Sequence, residues 1–200
     1  MSDPSQTQPT RIAVIVGSLR KGSLSRRAAH ALAAQAPAGI GLEIVEIGQL
    51  PLYDPDLDDE GRMPQAWADF RRSIAGYDAV LFVTPEYNRS VPAALKNAID
   101  VGSRPYGQSV WAGKPAAIVS LSPGAIGGFG ANHHLRQSLV FLDMPVLQQP
   151  EAYIGGADKL FAADGSVARD DTRAFFARFL TAFAGWITAN RRRLVAKTAA

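Results

Sequence analysis

The chain of 200 residues contains no cysteine. This excludes a disulfide framework, a thiolate metal site and thiol redox chemistry, so any electron transfer must run through a bound group. No stretch approaches the roughly 18 uncharged apolar residues of a membrane span, and no membrane partner is expected. Charge of one sign is scarce as well: 21 basic and 18 acidic residues leave a formal +3, with an isoelectric point near 9.4. Much of that excess sits in Arg191, Arg192, Arg193 and Lys197, where cations suit the C-terminal end of a helix. No aromatic-interleaved basic surface or recognition motif accompanies them, so nucleic acid is not an expected partner. Two common nucleotide loops, G-x-G-x-x-G and G-x-x-x-x-G-K-[ST], are also missing. The first residues, MSDPSQTQPT, lack the basic and apolar blocks of a secretory signal, and a cytoplasmic location is the expectation.

What is present is a globular composition, 47% hydrophobic and 20% charged, at a length that suits one domain. Residues 1–10 read as a disordered tail, 11–194 as the domain and 195–200 as a short C-terminal tail. Short β-branched runs alternate with helical patterns. The strands are placed at Arg11–Gly17, Leu42–Ile47, Ala79–Thr84, Ala116–Leu121 and Pro145–Gln148. Helices are placed at Leu24–Ala36, Pro64–Ala75, Pro92–Val101, Ala131–Leu142 and Asp171–Leu194. In the last, Phe175, Phe176, Phe179, Leu180, Phe183 and Ile187 recur at three-and-four spacing, a stripe that packs on a sheet. This alternation predicts an α/β fold: a doubly wound five-stranded parallel sheet in the order 2-1-3-4-5, the flavodoxin-like arrangement. Ligands of such sheets lie beyond the carboxyl ends of the strands where the order reverses, here between strands one and three. The loops after Gly17, Thr84 and Leu121 should therefore meet.

The first of these loops is rich in hydroxyls and cations. Ile12–Ser25 reads IAVIVGSLRKGSLS and leads into the helical LSRRAAHALAAQA. Helix N–H groups and their partial positive charge face that loop, and Ser18, Arg20, Ser23 and Ser25 add donors for an anion, most naturally a terminal phosphate. The plainer reading is a serine that caps the helix. The second loop, Pro85-Glu86-Tyr87-Asn88-Arg89-Ser90-Val91-Pro92, has a proline at each end, one aromatic face and one amide. Such a wall suits a flat heteroaromatic ligand with polar edges. A surface turn is the alternative.

Three stretches together, GSLRKGSLSR, TPEYNRSVPAALKNAIDVGSR and GKPAAIVSLSPGAIGG, resemble the NAD(P)H-dependent FMN reductases. That family of flavodoxin-like enzymes includes quinone, chromate and azo-dye reductases. The resemblance implies flavin mononucleotide (FMN) as cofactor and NADPH or NADH as electron donor. The acceptor it implies is a small molecule: a quinone, chromate, an azo compound or free flavin. Ser18, Arg20, Ser23, Leu24 and Ser25 would hold the FMN phosphate. Pro85, Glu86, Tyr87 and Asn88 would line the isoalloxazine and ribityl chain, with Ser120 and Gly124 completing the pocket. No side chain is implied as a catalytic acid or base, because hydride transfer belongs to flavin N5. The chain departs from the family pattern at Ser25 (usually Asn), Ala93 (usually Gly) and Val101 (often Trp). The resemblance also implies a homodimer or homotetramer. A non-enzymatic flavodoxin-like electron carrier or a flavin-binding sensor is the alternative; such carriers are typically acidic, whereas this chain is mildly basic with Arg20 and Lys21 in its phosphate loop.

Other features carry plainer readings. His133 and His134 are adjacent on a helix and point about 100° apart, a poor geometry for a shared metal, so no metal site is expected. Ser18 and Ser120 lack a G-x-S-x-G setting and a His–Asp pair for nucleophilic catalysis. Gly48–Met63, with Asp54, Asp56, Asp58, Asp59 and Glu60, lacks the calcium-loop spacing and reads as a solvated acidic loop on the rim of the site. Asp100 and Arg104 read as a local ion pair.

Overall fold

A computed structural model describes residues 9–162 and 165–198, the last eight as helix backbone only. The disordered tail expected before the domain thus falls, through residue 8, outside the described residues, as do the side chains of the basic run 191–197. The strands are β1 (Thr10–Val16), β2 (Ile40–Val45), β3 (Ala79–Thr84), β4 (Ala116–Leu121) and β5 (Ala152–Ile154). The α-helices are α1 (Leu24–Ala33), α2 (Pro55–Asp59), α3 (Gln65–Ala75), α4 (Ala93–Gly102), α5 (Phe129–Phe141) and α6 (Asp170–Thr198). All pairings are parallel, in the order β2-β1-β3-β4-β5.

Strands buried on both faces need apolar residues at every position. β3 (AVLFVT) and β4 (AAIVSL) are buried throughout, which is why their sequences run apolar without alternation. In β1, Ile12, Val14 and Val16 face a core shared with α1 and α6, while Ala13 and Ile15 face one shared with α3, α4 and α5. The α6 stripe behaves as its spacing predicts: Phe176, Phe179, Leu180, Phe183 and Ile187 are all buried. Each such side chain contributes about 1.5–3 kcal/mol of transfer free energy before ordering entropy is subtracted.

Three expectations are corrected. The edge strand expected at Pro145–Gln148 is a single bridge, Val146 opposite Ala116. The chain then turns through Gln149–Pro150 and pairs again with the far end of β4, Ala152–Ile154 opposite Val119–Leu121. The acidic segment is not merely solvated. Asp54 caps α2 through its carboxylate, and Asp58 is buried against Arg71 of α3, with Oδ1 and Oδ2 2.9 and 2.7 Å from the guanidinium. Asp100 pairs with Lys96 at 2.8 Å rather than with Arg104.

Candidate active site

β1, β3 and β4 deliver three loops side by side at the reversal of strand order. Gly17, the first residue past β1, donates its N–H to the Val83 carbonyl at 2.9 Å. A Cβ there would lie 2.5 Å from Thr84 Oγ1, so only glycine lets the first loop leave the sheet this close to β3. A cavity of about 170 Å3 opens between the loops. Ser18, Arg20, Ser23, Leu24 and Ser25 line it from the first, Pro85, Glu86 and Tyr87 from the second, and Leu121, Ser122 and Pro123 from the third.

The serines of the first loop divide their work. Ser23 caps α1, its Oγ accepting from Arg26 N at 3.1 Å, so the plain capping role is met by this one residue. Ser18 and Ser25 leave only 7% and 2% of their residue surface exposed, and neither hydroxyl has a hydrogen-bond partner among the described residues. No fully buried side-chain oxygen goes unpaired among those residues, so each of these hydroxyls keeps a solvent contact, and both residues line the cavity. Arg20, exposed at the lip, has no ion-pair partner among the described residues, in contrast to Arg26, which is held 2.7 Å from Glu46. Two unpartnered hydroxyls, a helix N-terminus and an uncommitted guanidinium form a donor-rich cradle for an anion.

The second loop is a tight turn. Tyr87 and Ser90 exchange backbone hydrogen bonds at 3.0 and 2.9 Å. Its central residues, Asn88 and Arg89, have φ values of 50° and 61°, the left-handed pair that defines a type I′ turn. Neither is glycine, so the turn carries strain that its surroundings must offset. The Glu86 carboxylate accepts from Ala131 N of α5 and from Arg89 NH1, both at 3.1 Å, and His134 Nδ1 lies 3.0 Å from Ser90 Oγ. Tyr87 stays about half exposed, presenting its ring at the cavity mouth.

Of the residues expected here, Asn88, Ser120 and Gly124 do not line the cavity. Asn88 sits at the turn's tip. Ser120 lies one layer below, its hydroxyl donating to the Ala152 carbonyl and accepting from Asn132, both at 3.3 Å. Gly124 is exposed and donates its N–H to Ser122 Oγ at 3.1 Å. Sequence reasoning missed Leu121, Ser122 and Pro123, although the end of the β4 run marked where that loop would begin. The histidines diverge: His133 Nε2 meets Tyr153 Oη at 3.0 Å and its ring lies tilted against Phe129, while His134 Nδ1 meets Ser90 Oγ. Burial, together with the Glu151 carboxylate, pushes the Tyr153 hydroxyl up to about 12. A larger cavity of about 610 Å3 lies beyond β5, against the start of α6. It is lined by neither the first nor the second loop, and it lacks their orphan donors.

The fold is a flavodoxin-like α/β domain with a donor-rich cavity at the switch point of its sheet. The sequence belongs to the NADPH-dependent FMN reductase family, whose pattern it matches over residues 10–159. It is accordingly an enzyme that works with FMN and NAD(P)H. A quinone reductase of Pseudomonas putida is 62% identical over 185 residues, covering 92% of this chain and 98% of that protein. A 2-hydroxy-1,4-benzoquinone reductase of a Burkholderia species is 46% identical over 181 residues, covering 90% and 98%. Among solved structures, the flavoenzyme NAD(P)H:(acceptor) oxidoreductase FerB of Paracoccus denitrificans superposes with a TM-score of 0.84 at 41% identity, covering 90% of this chain and 98% of that one.

Proposed function

We propose that the protein is an FMN-dependent NAD(P)H oxidoreductase that passes two electrons to quinones or other small acceptors, with chromate, azo compounds and free flavin as further candidates. The observation that carries the site assignment is the pair of orphan hydroxyls, Ser18 and Ser25, beneath an uncommitted Arg20. With the loop's backbone N–H groups they bind the FMN phosphate. Ser23 holds α1 in register behind them. The cavity is smaller than the roughly 300 Å3 at which enclosed small-molecule sites begin, so the anionic end of the ligand is what it encloses.

The Pro85–Asn88 backbone and the Tyr87 ring form a wall for the ring system, and backbone donors of that wall stabilise negative charge at the ring's polar edge. Ser120 and Gly124 support this wall from below and from the side: Ser120 fixes Asn132 of α5, and Gly124 closes the turn at Ser122. When bound, FMN supplies the hydride-accepting and two-electron-donating chemistry, so no side chain has to act as general base. The half-exposed Tyr87 and the open mouth leave room for donor and acceptor to use one place in turn. Association into a homodimer or homotetramer and a cytoplasmic location belong to the same reading. The exposed Leu52, Tyr106, Val140 and Phe141, all more than 70% accessible and outside the cavity, support the association.

The test is a visible spectrum of the protein supplied with FMN, desalted, and then titrated anaerobically with NADPH. The expected result is a retained flavin band that bleaches in one phase and returns on addition of a quinone. Retained flavin that NADPH cannot reduce would select the carrier or sensor instead, and no retained flavin would remove the phosphate assignment.

A further inference from the structure

α5 begins without a cap of its own. Its N-cap residue, Gly128, has no side chain, and no capping hydrogen bond comes from within the helix. The missing acceptor arrives from another loop: Glu86 Oε2 takes the N–H of Ala131, the third residue of α5. That carboxylate is only 11% exposed, and its other oxygen holds Arg89, one of the two non-glycine residues kept in the left-handed region. The approach is close. A Cβ on Gly130 would fall 2.9 Å from both Glu86 Oε2 and the Arg89 carbonyl.

From this geometry we propose that Glu86 is a positioning residue that clamps two walls of the cofactor site together. Its backbone belongs to the wall, and its carboxylate fastens that wall to the start of α5. α5 in turn is continuous with the third loop, whose Ser122 and Pro123 line the opposite side of the cavity. The negative carboxylate lies where the helix dipole is positive, so charge and hydrogen bond act in the same direction. Without it, Asn88 and Arg89 lose the contact that offsets their backbone strain, and the wall relaxes away from the site. The side chain of Glu86 thus acts through the turn and through α5, not by touching the ligand. Gly130 is the second half of the clamp, because only a residue without Cβ admits the carboxylate.

This inference rests on the FMN reading, and its test separates the two. FMN affinity is measured by quenching of flavin fluorescence for the wild type, Glu86→Ala, Glu86→Gln and Gly130→Ala, with amide hydrogen exchange of the start of α5 followed in the same proteins without FMN. Glu86→Ala is expected to weaken FMN binding at least tenfold and to speed exchange at Ala131. Glu86→Gln, which keeps an acceptor for that N–H, should stay within about threefold of the wild type in affinity. Gly130→Ala should resemble Glu86→Ala. The visible circular dichroism of bound flavin should change in Glu86→Ala and not in Glu86→Gln, which a general loss of stability would not produce. Unchanged affinity and exchange in Glu86→Ala would overturn the clamp. So would equal losses in the Ala and Gln variants. Failure of the wild type to bind FMN would instead overturn the reading beneath it, while the exchange experiment would still report on the cap.

Discussion

Arg71 and Asp58 form a two-pronged ion pair, 2.9 and 2.7 Å, with only 10% and 5% of their side chains exposed. Arg71 also donates Nε to the Val101 carbonyl at 2.8 Å, so one guanidinium ties the acidic segment after β2 to both α3 and α4. Removing one member of a buried pair strands the other, at a typical cost of about 3–5 kcal/mol. Asp58→Ala is therefore expected to destabilise the protein by about 3 kcal/mol or more in urea unfolding, while Asp56→Ala, on the exposed side of α2, should change little. The Arg71 guanidinium holds the Asp58 carboxyl below its ordinary value. Its contribution is present above the unfolded-state value near 4 and is lost as pH falls through the lower folded value. The loss of stability below pH 4 should be shallower in Asp58→Ala than in the wild type.

Gly17→Ala tests the close approach of β1 and β3. The added Cβ would meet Thr84 Oγ1 at 2.5 Å and Leu95 Cδ2 at 3.1 Å, both inside the packed core beneath the cavity. Overpacking of this kind costs about 1–3 kcal/mol. The expected outcome is a lower Tm together with weaker FMN binding, because the first loop starts at this residue. A double variant with Thr84→Ala, which removes the clashing oxygen, should recover part of both.

The order of the sheet could be read from the chain because each central strand is buried on both faces and its apolar run is unbroken. The Ser-rich loop and the Pro85–Pro92 segment could be placed for the same reason: they begin where those runs stop. The edge strand could not, since Met144–Leu147 and Ala152–Ile154 are both short apolar runs and only pairing with opposite ends of β4 separates them. Charge density hid the role of Asp58, whose partner lies 13 positions away. Likewise Lys114 is buried with Nζ donating to the Tyr77 and Ala75 carbonyls, which nothing local in the sequence announces. Val101, expected to depart from the family pattern, is fully buried within the chain's own core.

Tyr153 carries a pH dependence on the alkaline side. Burial and the neighbouring Glu151 carboxylate raise its hydroxyl to about 12, above the ordinary value of 10. A raised value means that the folded state keeps a proton the unfolded state gives up. The stabilising effect is thus complete below pH 10 and falls away between pH 10 and 12. Tyr153→Phe should flatten stability across that window and remove one high-titrating phenol from the ultraviolet absorbance curve. At neutral pH it should also free His133, whose Nε2 is 3.0 Å from the hydroxyl.

The sharpest check on the phosphate cradle uses two ligands that differ only at that end. Ser18 and Ser25 are buried and without protein partners, so each can give a phosphate oxygen one hydrogen bond with no competing acceptor to abandon. A charge-assisted bond of this type is worth about 1.5–3 kcal/mol, and its loss corresponds to roughly 10- to 100-fold in affinity. Ser18→Ala and Ser25→Ala are expected to weaken FMN by that range while leaving riboflavin, which has no phosphate, within about twofold. Arg20→Ala should act the same way but lose its effect as salt is raised, because its guanidinium is exposed at the lip. Ser23→Ala should differ from all three. It removes the cap of α1, so its signature is a lower Tm of about 1 kcal/mol in stability with weaker binding of both ligands. If riboflavin and FMN weaken together in the Ser18 and Ser25 variants, the hydroxyls serve the loop's shape, and the anion is bound elsewhere.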